Sequence, residues 1–180
     1  MTDLAKTRVL MLATDGFEQD ELLKPRQALI EAGAQVTLAS LKRNPITGEK
    51  GGEKGESITP DALISEVDSR DFDALVLPGG VGNPDKLRMD DRAVDLVEEF
   101  MEDDKIVAAI CHAPWLLVEA DVVDGRTATS WPSIRTDLAN AGADVVDQEV
   151  VVDGNLITSR KPDDIPAFNR AIIAALSKAD

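Results

Sequence analysis

The sequence predicts an α/β fold on a mainly parallel sheet, and three observations carry that expectation. Four short apolar runs are nearly continuous in hydrophobic residues: RVLMLA (8–13), QVTLA (35–39), DALVLP (73–78) and KIVAAI (105–110). Strands buried on both faces read this way, as parallel strands covered by helices do. Stretches of helical period lie between the runs, and such alternation implies βαβ units with right-handed crossovers.

Taken in order, the first strand runs into a helical pattern in which Leu22, Leu29 and Ala32 lead to Gly33 as a C-terminal stop. Pro25 falls inside that pattern, so the helix is expected to kink or restart there. The segment GEKGGEKGE (48–56) doubles GEKG and reads as a solvated turn or hairpin tip. It lacks the Lys-Ser/Thr pair opening a helix that a phosphate-binding loop needs. Ala93, Leu96, Val97, Phe100 and Met101 form an apolar stripe at three- and four-residue spacing, a core-facing helix. VVDQEVVVDGNLITS (145–159) places two β-rich runs around Asp153-Gly154, a hairpin signal. A final helix is expected over about residues 162–178, and the chain of 180 residues reads as one domain, 1–180.

Composition bounds the function. The 19 basic and 34 acidic residues give a net charge of −15, which repels nucleic acid and anionic membranes. Aspartate outnumbers glutamate and lysine is scarce, as in a salt-adapted proteome or an ordinary acidic cytosolic protein. No apolar run is long enough to span a bilayer, and MTDLAKTRVLMLA lacks the pattern of a secretory signal, so a cytoplasmic location is expected. With one cysteine and one histidine there is no internal disulfide and no cysteine–histidine cluster for zinc; neither metal nor cofactor is expected.

Those two residues are adjacent, in AAICHAPWLL (108–117). Ligands of open parallel sheets bind beyond the carboxyl ends of the strands, where three unusual loops gather here: TDGFEQDE, PGGVGNPD and CHAPW. Cys111 stands between a β-run and a helical run, flanked by small Ala109 and Ala113, the pattern of a nucleophile elbow. A helix starting at Pro114 would aim its positive end at the sulfur and favour the thiolate. Adjacent side chains of a regular strand point to opposite faces, so only a sharp turn brings the His112 imidazole to the sulfur. Glu18 is read as a carboxyl group entering the cleft and meeting that sulfur as proton donor or shuttle, whereas Asp20 and Glu21 fit the helix's first turn. The N–H groups of Gly79 and Gly80 are suited to an oxyanion hole.

TDGFEQDEL, FDALVLPGG, AAICHAPWLL, TSWPSIRTDLANAGA and VVVDGNLITSRKPDDIPAFNR occur in this order over almost the whole chain. With them the sequence resembles the ThiJ/PfpI family of the class I glutamine amidotransferase-like superfamily. The resemblance implies a flavodoxin-like three-layer sandwich, Cys111 as nucleophile, Glu18 on its sulfur and His112 beside it. It further implies a homodimer or hexamer in which a carboxylate from a neighbouring subunit completes a Cys-His-acid triad; the matching position is Asp85. Two residues depart from the family pattern: Asp85 is one methylene shorter than the usual glutamate, and Ala113 replaces a glycine, where alanine would be strained at positive φ. The implied activity is glyoxalase- or deglycase-type chemistry on a small carbonyl or a glycated protein or nucleotide. The alternatives are a PfpI-type cysteine peptidase and a non-enzymatic redox-sensing stress protein or chaperone. Amidotransferase chemistry needs a distant His–Glu pair, which a chain with a single histidine next to its cysteine does not offer.

Overall fold

In the computed structural model, which describes residues 4–179, β1 (Arg8–Leu12) leads through α1 (Gln19–Glu31) to β2 (Gln35–Ser40). An antiparallel hairpin of β3 (Ile46–Lys50) and β4 (Glu53–Ile58) precedes the short β5 (Ala62–Leu63). Then come β6 (Ala74–Leu77), α2 (Gly82–Leu87), α3 (Asp91–Glu102), β7 (Ile106–Ile110) and α4 (Pro114–Glu119). The last third holds β8 (Thr127–Ala128), α5 (Arg135–Asn140), β9 (Asp144–Val145), β10 (Val150–Asp153), β11 (Leu156–Ser159) and α6 (Ile165–Ala179).

Seven strands form the central sheet in the order β10-β11-β7-β6-β1-β2-β5, and every neighbouring pair is parallel except β10–β11. Successive strand residues point to opposite faces, so each strand feeds two cores. Val9 and Met11 pack toward Leu22 and Leu29 of α1 and Phe168 and Ile172 of α6. Leu10 and Leu12 pack toward Leu96, Val97 and Phe100 of α3 and Leu116 of α4. The result is a three-layer sandwich, the architecture that near-continuous apolar strands require.

One expectation fails and two gain detail. The first helix does not restart at Pro25: α1 is continuous over 13 residues with Pro25 buried. One proline removes a single ladder hydrogen bond, that to the Glu21 carbonyl, and apolar burial on both sides holds the rest. The hairpin expected in the run 145–159 forms in its second half. Residues 150–153 and 156–159 pair around Gly154-Asn155, while Val145 pairs with Ala128 in a separate two-stranded sheet. The doubled GEKG does form a hairpin tip at Gly51-Gly52, but that tip borders a cavity, as described next.

Candidate active site

The carboxyl ends of β1, β6 and β7 open onto a cavity of about 330 Å³ lined by Glu18, Glu21, Glu49, Gly51, Gly52, Gly80, Val81, Cys111, His112, Trp131 and Pro162. Cys111 is 5% exposed and takes a left-handed backbone conformation, φ +65°. For a residue with a side chain this costs roughly 1–3 kcal/mol and needs firm support. The support is local: the Cys111 amide donates to Ser159 O at 3.1 Å and its carbonyl accepts from Trp131 N at 2.8 Å. This is the sharp strand-to-helix turn that the sequence required. The strain falls on Cys111 itself, since Ala113 has ordinary right-handed helical angles, φ −57° and ψ −29°.

The turn lets neighbouring side chains meet. Cys111 Sγ lies 3.2 Å from His112 Nδ1. The imidazole's other nitrogen, Nε2, lies 3.3 Å from Ser133 Oγ. Trp131 stacks on the ring at 5.9 Å between centroids, and Trp115 meets it edge-on at 5.2 Å. Burial lowers the histidine's pKa, so at neutral pH the ring is uncharged and able to take a proton.

The carboxyl group beside the sulfur belongs to Glu21, and this corrects the placement expected for Glu18. Glu18 is the N-cap of α1, half-buried at the cavity edge, and its Oε2 accepts from the Glu21 amide at 2.8 Å. Three residues on, the Glu21 side chain turns inward and is fully buried. Its Oε2 accepts from Gly79 N at 2.9 Å, while Oε1 has no partner in hydrogen-bond geometry among the described residues. Burial first, then repulsion from Glu18, push the Glu21 carboxyl up to about 8, so it is a neutral acid at pH 7. Glu18 is also raised, chiefly by burial.

Burial likewise drives the Cys111 thiol far up, and repulsion from an ionised Glu21 adds to the shift. Burial thus opposes the lowering expected from the N-terminal end of α4, a helix of only six residues. Deprotonation of this sulfur therefore needs an adjacent base and an uncharged Glu21.

The expected Gly79–Gly80 amide pair is also revised. The Gly79 N–H is committed to Glu21, whereas the amides directed at the sulfur are those of Gly80 and His112. Gly79 is required by close approach: a Cβ there would lie 2.5 Å from Glu21 Oε2 and 2.6 Å from Cys111 Cβ. Gly80 is required by its backbone, φ +80°, with a Cβ position 2.3 Å from Gly16 O. Buried Asn83 ties the loops together, accepting from Thr14 N at 2.8 Å and donating to Pro78 O at 2.9 Å. Asp85 is exposed in the first turn of α2 and does not line the cavity, so one chain does not bring it to His112.

Sequence reasoning assigned no role to Glu21, Ser133, Trp131 or the hairpin. One signal for Glu21 existed: it shares a four-residue spacing with buried Pro25 and Leu29, an acid on the apolar face of its helix. No three His, Cys, Asp or Glu side chains group to hold a metal ion among the described residues. Nor does any helix of the described residues have the length and apolarity to cross a membrane.

The chain has close relatives in sequence and fold. The profile of the DJ-1/PfpI family matches residues 7–175. General stress protein 18 of Bacillus subtilis is 49% identical over 172 residues, 95% of this chain and 98% of its own length. Protein/nucleic acid deglycase 2 of Escherichia coli is 45% identical over 171 residues, 94% and 97% of the two chains. The crystal structure of Drosophila melanogaster DJ-1beta superposes with a TM-score of 0.87 at 33% identity, covering 95% of this chain and 90% of that one.

Proposed function

Since the chain belongs to the DJ-1/PfpI family, we propose that it is a cytoplasmic, cysteine-dependent stress-response enzyme acting on reactive carbonyls or their adducts. Cys111 is its nucleophile, in a glyoxalase- or deglycase-type reaction. The observation that carries this reading is the Cys111 sulfur set between a neutral imidazole at 3.2 Å and the buried carboxyl of Glu21. Named deglycases among its relatives support the same class of enzyme.

His112 Nδ1 takes the thiol proton, and the sulfur adds to the carbonyl carbon. The carbonyl π pair moves to oxygen, where the Gly80 and His112 N–H groups receive it. Glu21, protonated at neutral pH, steadies the sulfur without adding negative charge and moves a proton on the adduct, the role first expected of Glu18. With methylglyoxal the balance is internal: one carbon is oxidised, its neighbour reduced by the shifted hydrogen, and water releases lactate and the free thiol. No external oxidant or cofactor enters. With a glycated amine the sulfur displaces the amine from the hemiaminal carbon: the C–S bond forms as the C–N bond breaks, the amine leaves with a proton from the site, and the resulting hemithioacetal follows the same course. A homo-oligomer belongs to this proposal, with exposed Val81 and Trp131 at the cavity edge as candidate contacts.

The test incubates wild type, Cys111→Ser, Glu21→Gln and Glu18→Ala with methylglyoxal and, separately, with casein, quantifying lactate and released peptides. Lactate formation should fall by at least about 10³-fold in Cys111→Ser and steeply in Glu21→Gln, with a smaller loss in Glu18→Ala. Casein cleavage that depends on Cys111 would instead assign a peptidase, a use the Cys–His contact also permits. No turnover of either, with peroxide converting Cys111 cleanly to a sulfinate, would leave a redox-sensing protein.

A further inference from the structure

The stretch from Trp131 to Ile134 touches the Cys111-His112 dipeptide in three separate ways. The Trp131 amide donates to the Cys111 carbonyl at 2.8 Å. The Trp131 indole stacks on the imidazole. Ser133 Oγ, in the 3-10 turn Pro132–Ile134, reaches His112 Nε2 at 3.3 Å. One short segment thus fixes the nucleophile's backbone, the plane of the base and the base's second nitrogen.

We propose that Ser133 is a positioning residue which selects the His112 tautomer and completes a Cys111–His112–Ser133 relay within a single chain. The inference deepens the proposed function and rests on its Cys–His pair. A neutral imidazole carries one N–H, so its two contacts must have opposite sense. A free thiol is protonated at neutral pH and donates, which leaves Nδ1 as acceptor and puts the ring proton on Nε2. Ser133 Oγ then accepts from Nε2–H. When the S–H bond breaks, its proton goes to Nδ1 and the ring becomes an imidazolium. The Nε2–H···Oγ bond becomes charge-assisted and stronger, so Ser133 favours the ion pair over the neutral pair. The Ser133 proton is not transferred.

The titratable groups facing this pair are Glu18 and Glu21 at the start of α1 and Glu49 of β3. Behind the ring, Trp115 donates to Asp137 of α5 at 2.8 Å and lies under the Arg88 guanidinium. None of these meets Nε2. The same nitrogen is the one a neighbouring subunit's Asp85 would need, so Ser133 and a carboxylate supplied by a partner chain compete for a single proton.

The single histidine makes ring ¹⁵N NMR an unambiguous readout. Full-length wild type near pH 7 should show a protonated Nε2 and a bare Nδ1. Ser133→Ala should shift the spectrum toward a mixture of tautomers. It should also slow Cys111 alkylation by iodoacetamide at pH 7 by about 3- to 10-fold and move the alkylation midpoint up by about half to one pH unit. Ser133→Thr keeps the hydroxyl and should restore both. A wild-type ring protonated on Nδ1, or a Ser133→Ala protein with spectrum and profile unmoved, overturns the proposal. So does a spectrum moved by Asp85→Asn and not by Ser133→Ala. Both readouts work without turnover, so this relay and the carbonyl chemistry fail or stand separately.

Discussion

Charged side chains gather at both ends of the same strands, in opposite chemical states. Ahead of β6 and β7, Arg70 pairs with Asp68 at 2.5 Å and Arg92 with Glu99 at 2.5 Å, in or near solvent. The Arg70 guanidinium holds the Asp68 carboxyl well below the usual range, and Arg92 lowers Glu99. Beyond the carboxyl ends of β1, β6 and β7, Glu18, Glu21, Cys111 and His112 meet around a cavity that no lysine or arginine of the described residues lines. There the carboxyls are raised, the thiol is raised and the imidazole is lowered.

The difference follows from burial against pairing. An exposed ion pair gains a little Coulomb energy and remains fully ionised. A buried group without a counter-ion escapes the cost of desolvation by staying neutral. The first arrangement is inert to proton transfer at pH 7. The second holds an acid, a thiol and a base, all uncharged and within reach of one another, which is the state a proton-transfer site needs.

After loss of the cysteine itself, the largest expected effect comes from Glu21→Gln, which keeps the shape and removes the proton chemistry. Turnover should fall by about 10²- to 10⁴-fold while the fold gains stability. A carboxyl near 4.5 when unfolded and about 8 when folded makes folding progressively less favourable as pH rises through that window. At about 1.4 kcal/mol per pH unit, removing it should be worth about 3 kcal/mol at pH 7 and nothing below pH 4. Denaturant titrations of both proteins at several pH values measure this. An equally sloped stability profile in the variant would mean that Glu21 is not the neutral buried acid. In the wild type, rate should fall above about pH 8, where Glu21 ionises against the sulfur.

Gly79→Ala tests the close packing at the same end. Its Cβ meets Glu21 Oε2, Cys111 Cβ and Ile110 O, all within 2.7 Å. Destabilisation of about 1–3 kcal/mol is expected, with roughly 10²-fold lost activity from the displaced nucleophile. A variant with wild-type kinetics would show that the glycine's proximity to Cys111 is incidental.

The smallest effect belongs to the opposite end. Arg92→Met should change stability by about 1 kcal/mol or less, with the change shrinking as salt is raised, and leave turnover unaltered. A large salt-independent loss would erase the distinction between the two ends.

The layered fold was legible because two-sided burial writes itself into composition: residues 8–13, 35–39, 73–78 and 105–110 are nearly continuous apolar runs, and the observed strands fall within a residue or so of them. The cysteine-bearing turn was legible as well, since a lone Cys-His between a strand and a helix with small neighbours has few other placements. Which acid reaches the sulfur was not. Glu18 and Glu21 stand in the same acidic stretch, and the choice depends on where α1 begins. With Glu18 as N-cap, Glu21 lies on the stripe shared with Pro25 and Leu29 and faces the core.

By itself, then, the sequence determined the layers, the strands and the elbow, because these rest on local periodicity and on residue types that tolerate few environments. Tertiary structure alone decided that Gly79 gives its amide to Glu21, that Glu49 and Gly51-Gly52 border the cavity, and that Ser133 reaches His112 across 21 residues of chain. Those contacts join separate loops, and no spacing along a chain records which of its loops will meet.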